Sequence, residues 1–210
     1  WHSSSALAAD PSRQDVAAMR ERVLCELAQA ALERGRQNEA DGKFGAALIE
    51  FRSARDLDKA LPGIDEAIAA AEREVEAGRL AEEARMRMRR QEFDAARTLL
   101  DQAFAQSTLL RGGISELMVE NRRLQARSRY TGARDLEYQG LKQEALAAFV
   151  ALSAEWPDGL EDEKARIDAL QTDITGARRE WELATAAEQE GRLAEAIEHY
   201  EASARFYERL

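Results

Sequence analysis

The fold is decided by a stretch that occurs four times, and its first copy, GKFGAALIEFRSA, occupies residues 42–54. The pattern returns as QEFDAARTLLDQA, GLKQEALAAFVAL and GRLAEAIEHYEAS at residues 91–103, 140–152 and 191–203. Successive copies begin 49, 49 and 51 residues apart, which is too regular a spacing for chance. The spacing predicts four repeats of one supersecondary unit.

Each copy carries the same three signals. Its first residue is Gly, or Gln91 in the second copy, and we expect this residue to end a helix in the left-handed conformation. A large apolar residue then anchors the turn; Lys142 departs from this rule, and we expect Leu141 to take its place. Next comes a small alanine, followed four residues later by a larger residue that is Leu or aromatic, so that both point into one seam. We call these residues the anchor alanines: Ala47, Ala96, Ala145 and Ala196.

A second pattern precedes each turn and predicts a long helix there. Small residues recur nineteen and twelve positions before each anchor alanine, with a further stripe residue between them. The three sets are Ala28, Ala77, Ala126 and Ala177; Gly35, Ala84, Ala133 and Ala184; and Leu32, Ala81, Tyr130 and Trp181. Small residues seven apart lie on one helical face and allow a neighbouring helix to approach closely.

Helix-breaking residues set the expected helix lengths. They lie at 61–63, 111–113 and 156–159, which leaves 27 to 31 residues for each long helix. The short helices that follow the turns are expected to hold about 16–18 residues. The first long helix should begin near Ser12, with Asp15 as its capping-box partner.

The order small, bulky, small, followed by Gly-x-[Phe/Leu]-x-x-Ala-x-x-x-[Phe/Tyr], resembles the tetratricopeptide repeat. The similarity is closest from Ala177 to Tyr207, and Pro157 matches the helix-ending proline of the family. The period departs from the family, which repeats every 34 residues or so. The resemblance implies an all-α, right-handed α-solenoid of four helical hairpins, with eight helices alternately long and short. The domain would span 12–210, with repeat units at about 12–62, 63–111, 112–158 and 159–210.

Composition supports an all-helical protein and narrows its partners. Only 3 residues are Pro and 33% are charged, with strong helix formers dominating. The net charge of −10 argues against a nucleic-acid binder, which needs a basic surface. No apolar run is long enough to insert into a membrane. The single cysteine, Cys25, excludes an internal disulfide and is interpreted as a small core residue.

The start of the chain indicates a segment of a longer precursor. It begins at Trp1 and not at Met, and residues 1–11 are small and polar, as in a linker or tag remnant. An upstream signal sequence or anchor would place the domain in the periplasm or cell envelope. Otherwise it belongs in the cytoplasm, and the sequence leaves the localisation open.

Residues that carry enzymatic chemistry are scarce. The chain has no Gly-rich phosphate loop, no Cys-x-x-Cys and no His-Glu-x-x-His motif. His2 lies in the expected linker, and His199 is expected to form a solvated pair with Glu195 four residues before it. The sequence therefore predicts neither an enzyme nor a cofactor or metal site.

An arginine recurs eleven residues before three of the anchor alanines, and Thr185 holds the fourth position. By the family resemblance this helix lines the concave face where extended peptides bind. Further basic and aromatic residues lie near it along the helices. The candidate binding residues are Arg36, Arg85, Arg89, Arg127, Tyr130, Arg134, Arg178 and Trp181.

Two interpretations of these arginines stay open. One is a basic strip that binds an acidic peptide or a terminal carboxylate, because Arg presents paired donors to carboxylates. The other is salt bridging within each helix, since Glu33 and Glu82 stand three residues before Arg36 and Arg85. Thr131 stands at the matching distance from Arg134 and cannot form such a bridge.

The favoured function is a protein-interaction module that binds a protein or peptide partner, acidic in character, on the face formed by the long helices. It would belong to a bacterial envelope or regulatory complex. The alternative is a self-assembling scaffold, a homo-oligomer that stacks through the apolar edge formed by Phe206, Tyr207 and Leu210.

Overall fold

The computed structural model describes residues 11–157, 159–160 and 162–208, with the backbone alone for 11–14. Within these ranges all regular secondary structure is α-helical, as predicted. Residues 1–10 of the expected linker, with His2, and the chain end at Leu210 lie outside them. The helices are α1 (Pro11–Ala40), α2 (Phe44–Leu57), α3 (Ile64–Arg89), α4 (Phe93–Gln106), α5 (Arg111–Tyr138), α6 (Lys142–Glu155), α7 (Glu163–Gln189) and α8 (Leu193–Glu208).

Long and short helices alternate along the chain. The long helices hold 26 to 30 residues. The short helices hold 14 residues, or 16 in α8, and the predicted 16–18 was therefore slightly too long. The short helices are shorter than predicted because residues at their ends belong to the connecting loops. The loop after α2, for example, begins at Asp58. Helix α1 begins at Pro11, one residue before the predicted Ser12.

The described chain forms two compact units. Unit 1 contains the residues up to Met86 together with Asp94–Met118, and unit 2 contains Arg87–Phe93 and the residues from Val119 onwards. Helices α3 and α5 each contribute to both. The right-handed solenoid stays a prediction, and each unit is described separately below.

The core of unit 1 is centred on Phe51 of α2. This ring is buried among residues of α1, α2 and α3, including Ala28 and Ile68. A Cβ atom at Gly35 of α1 would lie only 2.3 Å from Phe51 Cε1, so α1 and α2 cross closely at this position. The predicted small residue is thus required for packing.

The core of unit 2 repeats this arrangement around Phe149 of α6. The Phe149 ring meets Tyr130 of α5 edge to face, with centroids 5.6 Å apart. Leu170 of α7 closes the cluster from the other side. In both units a short helix is therefore buried between its own long helix and the next one.

The four turns between long and short helices are nearly identical in backbone conformation. Gly42, Gln91, Gly140 and Gly191 all have positive φ, between 62° and 78°. At the first turn the amide of Lys43 bonds to the carbonyl of Asn38, and the amide of Gly42 bonds to that of Glu39. The same two bonds recur at the other three turns. They define the Schellman motif and confirm the predicted left-handed helix ends.

Replacing Gln91 with Gly is expected to stabilise the protein by roughly 1 kcal/mol, since Gln91 alone of the four must hold a side chain at positive φ. Urea unfolding followed by far-UV circular dichroism would measure the gain. The reverse change, Gly191→Gln, is the matched control and should destabilise by a similar amount. Equal stability of Gln91→Gly and wild type would contradict this account of the turn.

The connection between α4 and α5 differs from the prediction. The sequence placed a break at 111–113, but Gly112 and Gly113 lie in the first turn of α5 and the connection is formed by residues 107–110. The buried carboxylate of Glu74, on α3, holds it there. Its oxygens accept hydrogen bonds from the Ser107 hydroxyl (2.6 Å), the Thr108 amide (2.7 Å) and hydroxyl (2.9 Å), and the Leu109 amide (3.0 Å).

The turn at Lys142, where the apolar anchor of the repeat is missing, also differs from the prediction. Leu141 does not replace the missing apolar anchor, because its side chain is 40% exposed while Lys142 is only 2% exposed. The Lys142 ammonium donates to Asp173 Oδ2 of α7 at 2.6 Å and to the carbonyl of Phe206 in α8 at 2.5 Å. The buried lysine therefore connects three helices of unit 2 through its charge.

Candidate functional site

Two of the predicted binding arginines, both in unit 1, are engaged on their own helices. Arg36 Nη1 lies 3.9 Å from Glu33 Oε2 on α1, and Arg85 Nη1 lies 2.8 Å from Glu82 Oε2 on α3. All four side chains are more than half exposed, so each pair contributes little to stability. The salt-bridge interpretation therefore describes these two positions.

A glutamate also pairs with an arginine on α7 in unit 2, where Arg178 Nε lies 3.1 Å from Glu182 Oε1, but here the arginine stands four residues before the glutamate. Glu182 stands fourteen residues before its anchor alanine, as do Glu33 and Glu82 in their repeats. In the repeat of α5 this position is Thr131. On α1, α3 and α7 the glutamate at this repeat position forms a salt bridge with an arginine of the same helix. Helix α5 lacks this glutamate.

The loss of this carboxylate affects two arginines of α5. Arg127 corresponds to Arg178 and Arg134 corresponds to Arg85, and neither forms an ion pair among the described residues. Arg134 instead lies over the ring of Tyr138, 5.3 Å from the centroid, and donates to the tyrosine hydroxyl. Arg127 is exposed, and the Thr131 hydroxyl donates to its backbone carbonyl at 3.1 Å. Arg127 is thus an exposed arginine without a salt bridge among the described residues.

Arg127 lies at an open cleft in unit 2. The cleft has a volume of about 460 Å³. One wall is the turn after α3, and the other is the middle of α5, where Ser128 and Gly132 leave room. A Cβ atom at Gly132 would have nothing within 4 Å, so the space beside this residue is unfilled. The lining residues are Met88, Gln91, Phe93, Leu124, Arg127, Ser128, Thr131, Gly132 and Asp135.

Tyr130 is buried and does not line this cleft, although the sequence suggested it as an aromatic flank. Only 5% of its surface is exposed, and its hydroxyl donates to Asp162. Burial and the hydrogen bond to this carboxylate both raise the pKa of Tyr130. Arg166 completes the network, with Nε 2.9 Å from Asp162 Oδ1 and Nη1 2.7 Å from Glu137 Oε2. Tyr130 serves the core of unit 2.

The two remaining candidates are exposed but lie in different places. Arg89 is exposed near the end of α3, beside Met88, which lines the cleft. Trp181 is exposed on α7 and meets the ring of Tyr200 edge to face, with centroids 4.9 Å apart. The predicted strip runs through both units, and its continuity stays a prediction.

Sequence reasoning missed the apolar wall and the polar end of the cleft. Phe93 was considered only as the apolar anchor of its turn, and Met88 and Asp135 were not considered. Gly132 was a signal in the sequence that could have indicated the cleft. Glycine in a helix interior lowers stability by about 1 kcal/mol relative to alanine. The other long helices carry Arg34, Glu83 and Leu183 at this position.

His199 has a different partner from the one expected. Its Nδ1 lies 2.7 Å from Glu180 Oε2 on α7, while Glu195 binds Arg192. No cluster of three or more potential metal ligands occurs among the described residues. Cys25 is partly buried on α1.

No protein-family model matches the sequence, and no curated protein and no solved structure is significantly similar to it. The tetratricopeptide resemblance therefore rests on the repeat pattern alone. Among the described residues, no helix has the length and apolar character needed to cross a membrane.

Proposed function

We propose that the chain is a protein-interaction module that binds an acidic peptide segment in the cleft beside Arg127. The observation that carries the proposal is the replacement of the pairing glutamate by Thr131. Arg36, Arg85 and Arg178 each form a salt bridge with a glutamate of their own helix, whereas Arg127 forms none among the described residues. An external carboxylate would supply the missing partner, and the planar guanidinium can bind it through two parallel hydrogen bonds.

The shape of the cleft supports an extended chain as the ligand. Gly132 has no side chain and Ser128 has a small one, so a peptide backbone can approach α5 closely at these residues. Met88 and Phe93 offer apolar contact on the opposite side. The Thr131 hydroxyl adds a polar group at the centre.

The charges at the cleft also predict a sequence preference. Arg127 and Asp135 are eight residues apart on one helix, which corresponds to about 12 Å. An extended peptide covers this distance in three to four residues, at roughly 3.4 Å each. The preferred peptide therefore carries Glu or Asp at one end and Lys or Arg three to four positions away.

Replacing Thr131 with Glu is expected to weaken binding of such a peptide by about two- to fivefold, since an exposed pair of Arg and carboxylate contributes roughly 0.2–1 kcal/mol. The new carboxylate would pair with Arg127 as Glu182 pairs with Arg178. Fluorescence anisotropy of a labelled peptide with the spaced Glu and Lys would measure the affinity, beside the same peptide with Gln in place of Glu.

Thr131→Gln is the matched control, because it adds nearly the same volume without charge and should retain most of the affinity. Far-UV circular dichroism should show both variants folded, since Thr131 is exposed. Undiminished binding by Thr131→Glu, or equal affinity for the Glu and Gln peptides, would refute the proposed function.

A further inference from the structure

Gln91 carries a side chain at a turn position where the other three repeats have glycine, and it lines the cleft beside Arg127. Its backbone is in the left-handed conformation, with φ of 62°. A side chain in this conformation lowers stability, and such residues are frequent where proteins bind ligands. The turn after α3 therefore carries a side chain where the fold would be more stable without one, and this side chain belongs to the candidate binding site.

The side-chain amide of Gln91 has no partner within the protein. Gln91 is exposed, and among the described residues its amide forms no hydrogen bond with the backbone or with another side chain. The next residue of the same turn differs, because Glu92 Oε2 lies 2.6 Å from Nη1 of Arg87. The amide of Gln91 is therefore free to bind a ligand in the cleft.

The wall of the cleft opposite α5 is otherwise apolar. Met88, Gln91 and Phe93 line this wall. Two of these side chains provide apolar contact, and the amide of Gln91 adds a group that both donates and accepts hydrogen bonds. The charged residues Arg127 and Asp135 lie on the other wall, along α5. The two walls thus differ in chemistry, with the charges on one and the amide on the other.

An amide is suited to the backbone of an extended peptide. The N–H and C=O groups of a peptide lose water when it enters a cleft, and each group that stays unpaired opposes binding. The glutamine oxygen can accept from a peptide N–H, while its NH₂ group can donate to a peptide C=O. The charged side chains of the ligand are already assigned to Arg127 and Asp135. The backbone between them is therefore what remains for Gln91.

We propose that Gln91 is a binding residue whose side-chain amide forms hydrogen bonds with the ligand backbone, between the acidic and the basic residue of the peptide. This inference deepens the proposed function and rests on it, because the ligand is the same extended peptide. A backbone contact adds affinity without requiring particular side chains at the intervening positions. The sequence preference of the cleft then comes from Arg127 and Asp135.

Two variants test the role of this amide. Gln91→Met keeps nearly the same volume without the hydrogen-bonding groups, and Gln91→Gly removes the side chain. Each is expected to bind the peptide with the spaced Glu and Lys about two- to tenfold more weakly in fluorescence anisotropy, the effect of one lost hydrogen bond. Urea unfolding should show Gln91→Met close to wild type and Gln91→Gly more stable, so that the lost affinity does not reflect lost folding.

Gln143→Met is the matched control, since Gln143 is exposed on α6 outside the cleft, and its variant should bind like wild type. A second control changes the ligand: each backbone nitrogen between the Glu and the Lys is methylated in turn, which removes one N–H donor. At one position, methylation should weaken binding to wild type more than binding to Gln91→Met, because the two changes remove the same hydrogen bond. Equal losses in both proteins at every position would overturn the backbone contact.

The outcomes separate this inference from the proposed function. If wild type prefers the Glu peptide over the Gln peptide and both Gln91 variants bind as tightly as wild type, the role of Gln91 is overturned and the proposed function stands. If wild type binds the Glu and Gln peptides equally and both variants bind more weakly, the pairing with Arg127 is refuted and the contact with Gln91 is supported. A wild type that binds neither peptide would overturn both.

Discussion

Replacing Glu74 with glutamine is expected to lower the free energy of unfolding by about 3 kcal/mol at pH 7. The carboxylate is buried and accepts four hydrogen bonds from three consecutive residues, Ser107, Thr108 and Leu109. Burial alone would raise the pKa of Glu74, but the hydrogen bonds outweigh it and lower the pKa to about 2 from 4.5. Each pKa unit corresponds to about 1.4 kcal/mol of preference for the ionised form.

The decrease in the free energy of unfolding caused by Glu74→Gln should depend on pH. A carboxyl whose folded pKa is lowered stabilises the fold fully above its unfolded pKa of 4.5, and this contribution disappears as the pH falls towards about 2. The difference between wild type and Glu74→Gln should therefore shrink from about 3 kcal/mol at pH 7 to about 1 at pH 3.

Urea unfolding at the two pH values measures this difference. Glu66→Gln, an exposed change on the same helix, is the control and should stay within about 0.5 kcal/mol of wild type at both. A penalty for Glu74→Gln that is equally large at pH 3 would contradict the ionised state of Glu74.

Most of the secondary structure could be predicted from the sequence because the deciding interactions are local. The left-handed turn residues, including Gln91, occupy one position of a repeating pattern, and backbone bonds within six residues hold the turn. The small residue at Gly35 follows from the seam geometry, and the structure places the Phe51 ring against it.

The errors occurred where a distant residue decides the local structure. The sequence assigned the break before α5 to Gly112 and Gly113, whereas Glu74, on another helix, holds Ser107 and its neighbours in the loop. No local pattern marks such a carboxylate, because it lies 33 residues from Ser107 in the chain.

The candidate site was predictable in part for the same reason. The arginines at Arg36 and Arg85 recur at repeat positions, so the sequence could find both them and their glutamates on the same helix. Thr131 was noted as a missing partner of Arg134 alone. Its effect on Arg127 and the space beside Gly132 depend on how the turn after α3 lies against α5, which a single sequence does not specify.

Replacing Lys142 with alanine is expected to destabilise the protein by about 3–5 kcal/mol, because it removes one partner of a buried ion pair. The ammonium lies 2.6 Å from Asp173 Oδ2 and 2.5 Å from the carbonyl of Phe206. Without it, the carboxylate of Asp173, which is mostly buried, loses this counter-charge, and a cavity remains where the lysine stem was. Urea unfolding of the variant measures the loss.

The repeat itself provides the control that separates charge from packing. The positions equivalent to Lys142 hold Phe44, Phe93 and Leu193, so an apolar anchor fits this turn elsewhere in the chain. The double variant Lys142→Met with Asp173→Leu should therefore recover most of the stability that Lys142→Ala loses, since buried ion pairs are often replaceable by apolar residues of similar volume. Lys142→Met alone should fall between the two, because it fills the space but leaves Asp173 without the ammonium. If the double variant were as unstable as Lys142→Ala, the lysine would be required for its contact with the Phe206 carbonyl, and the ion pair would not be the main source of its stabilisation.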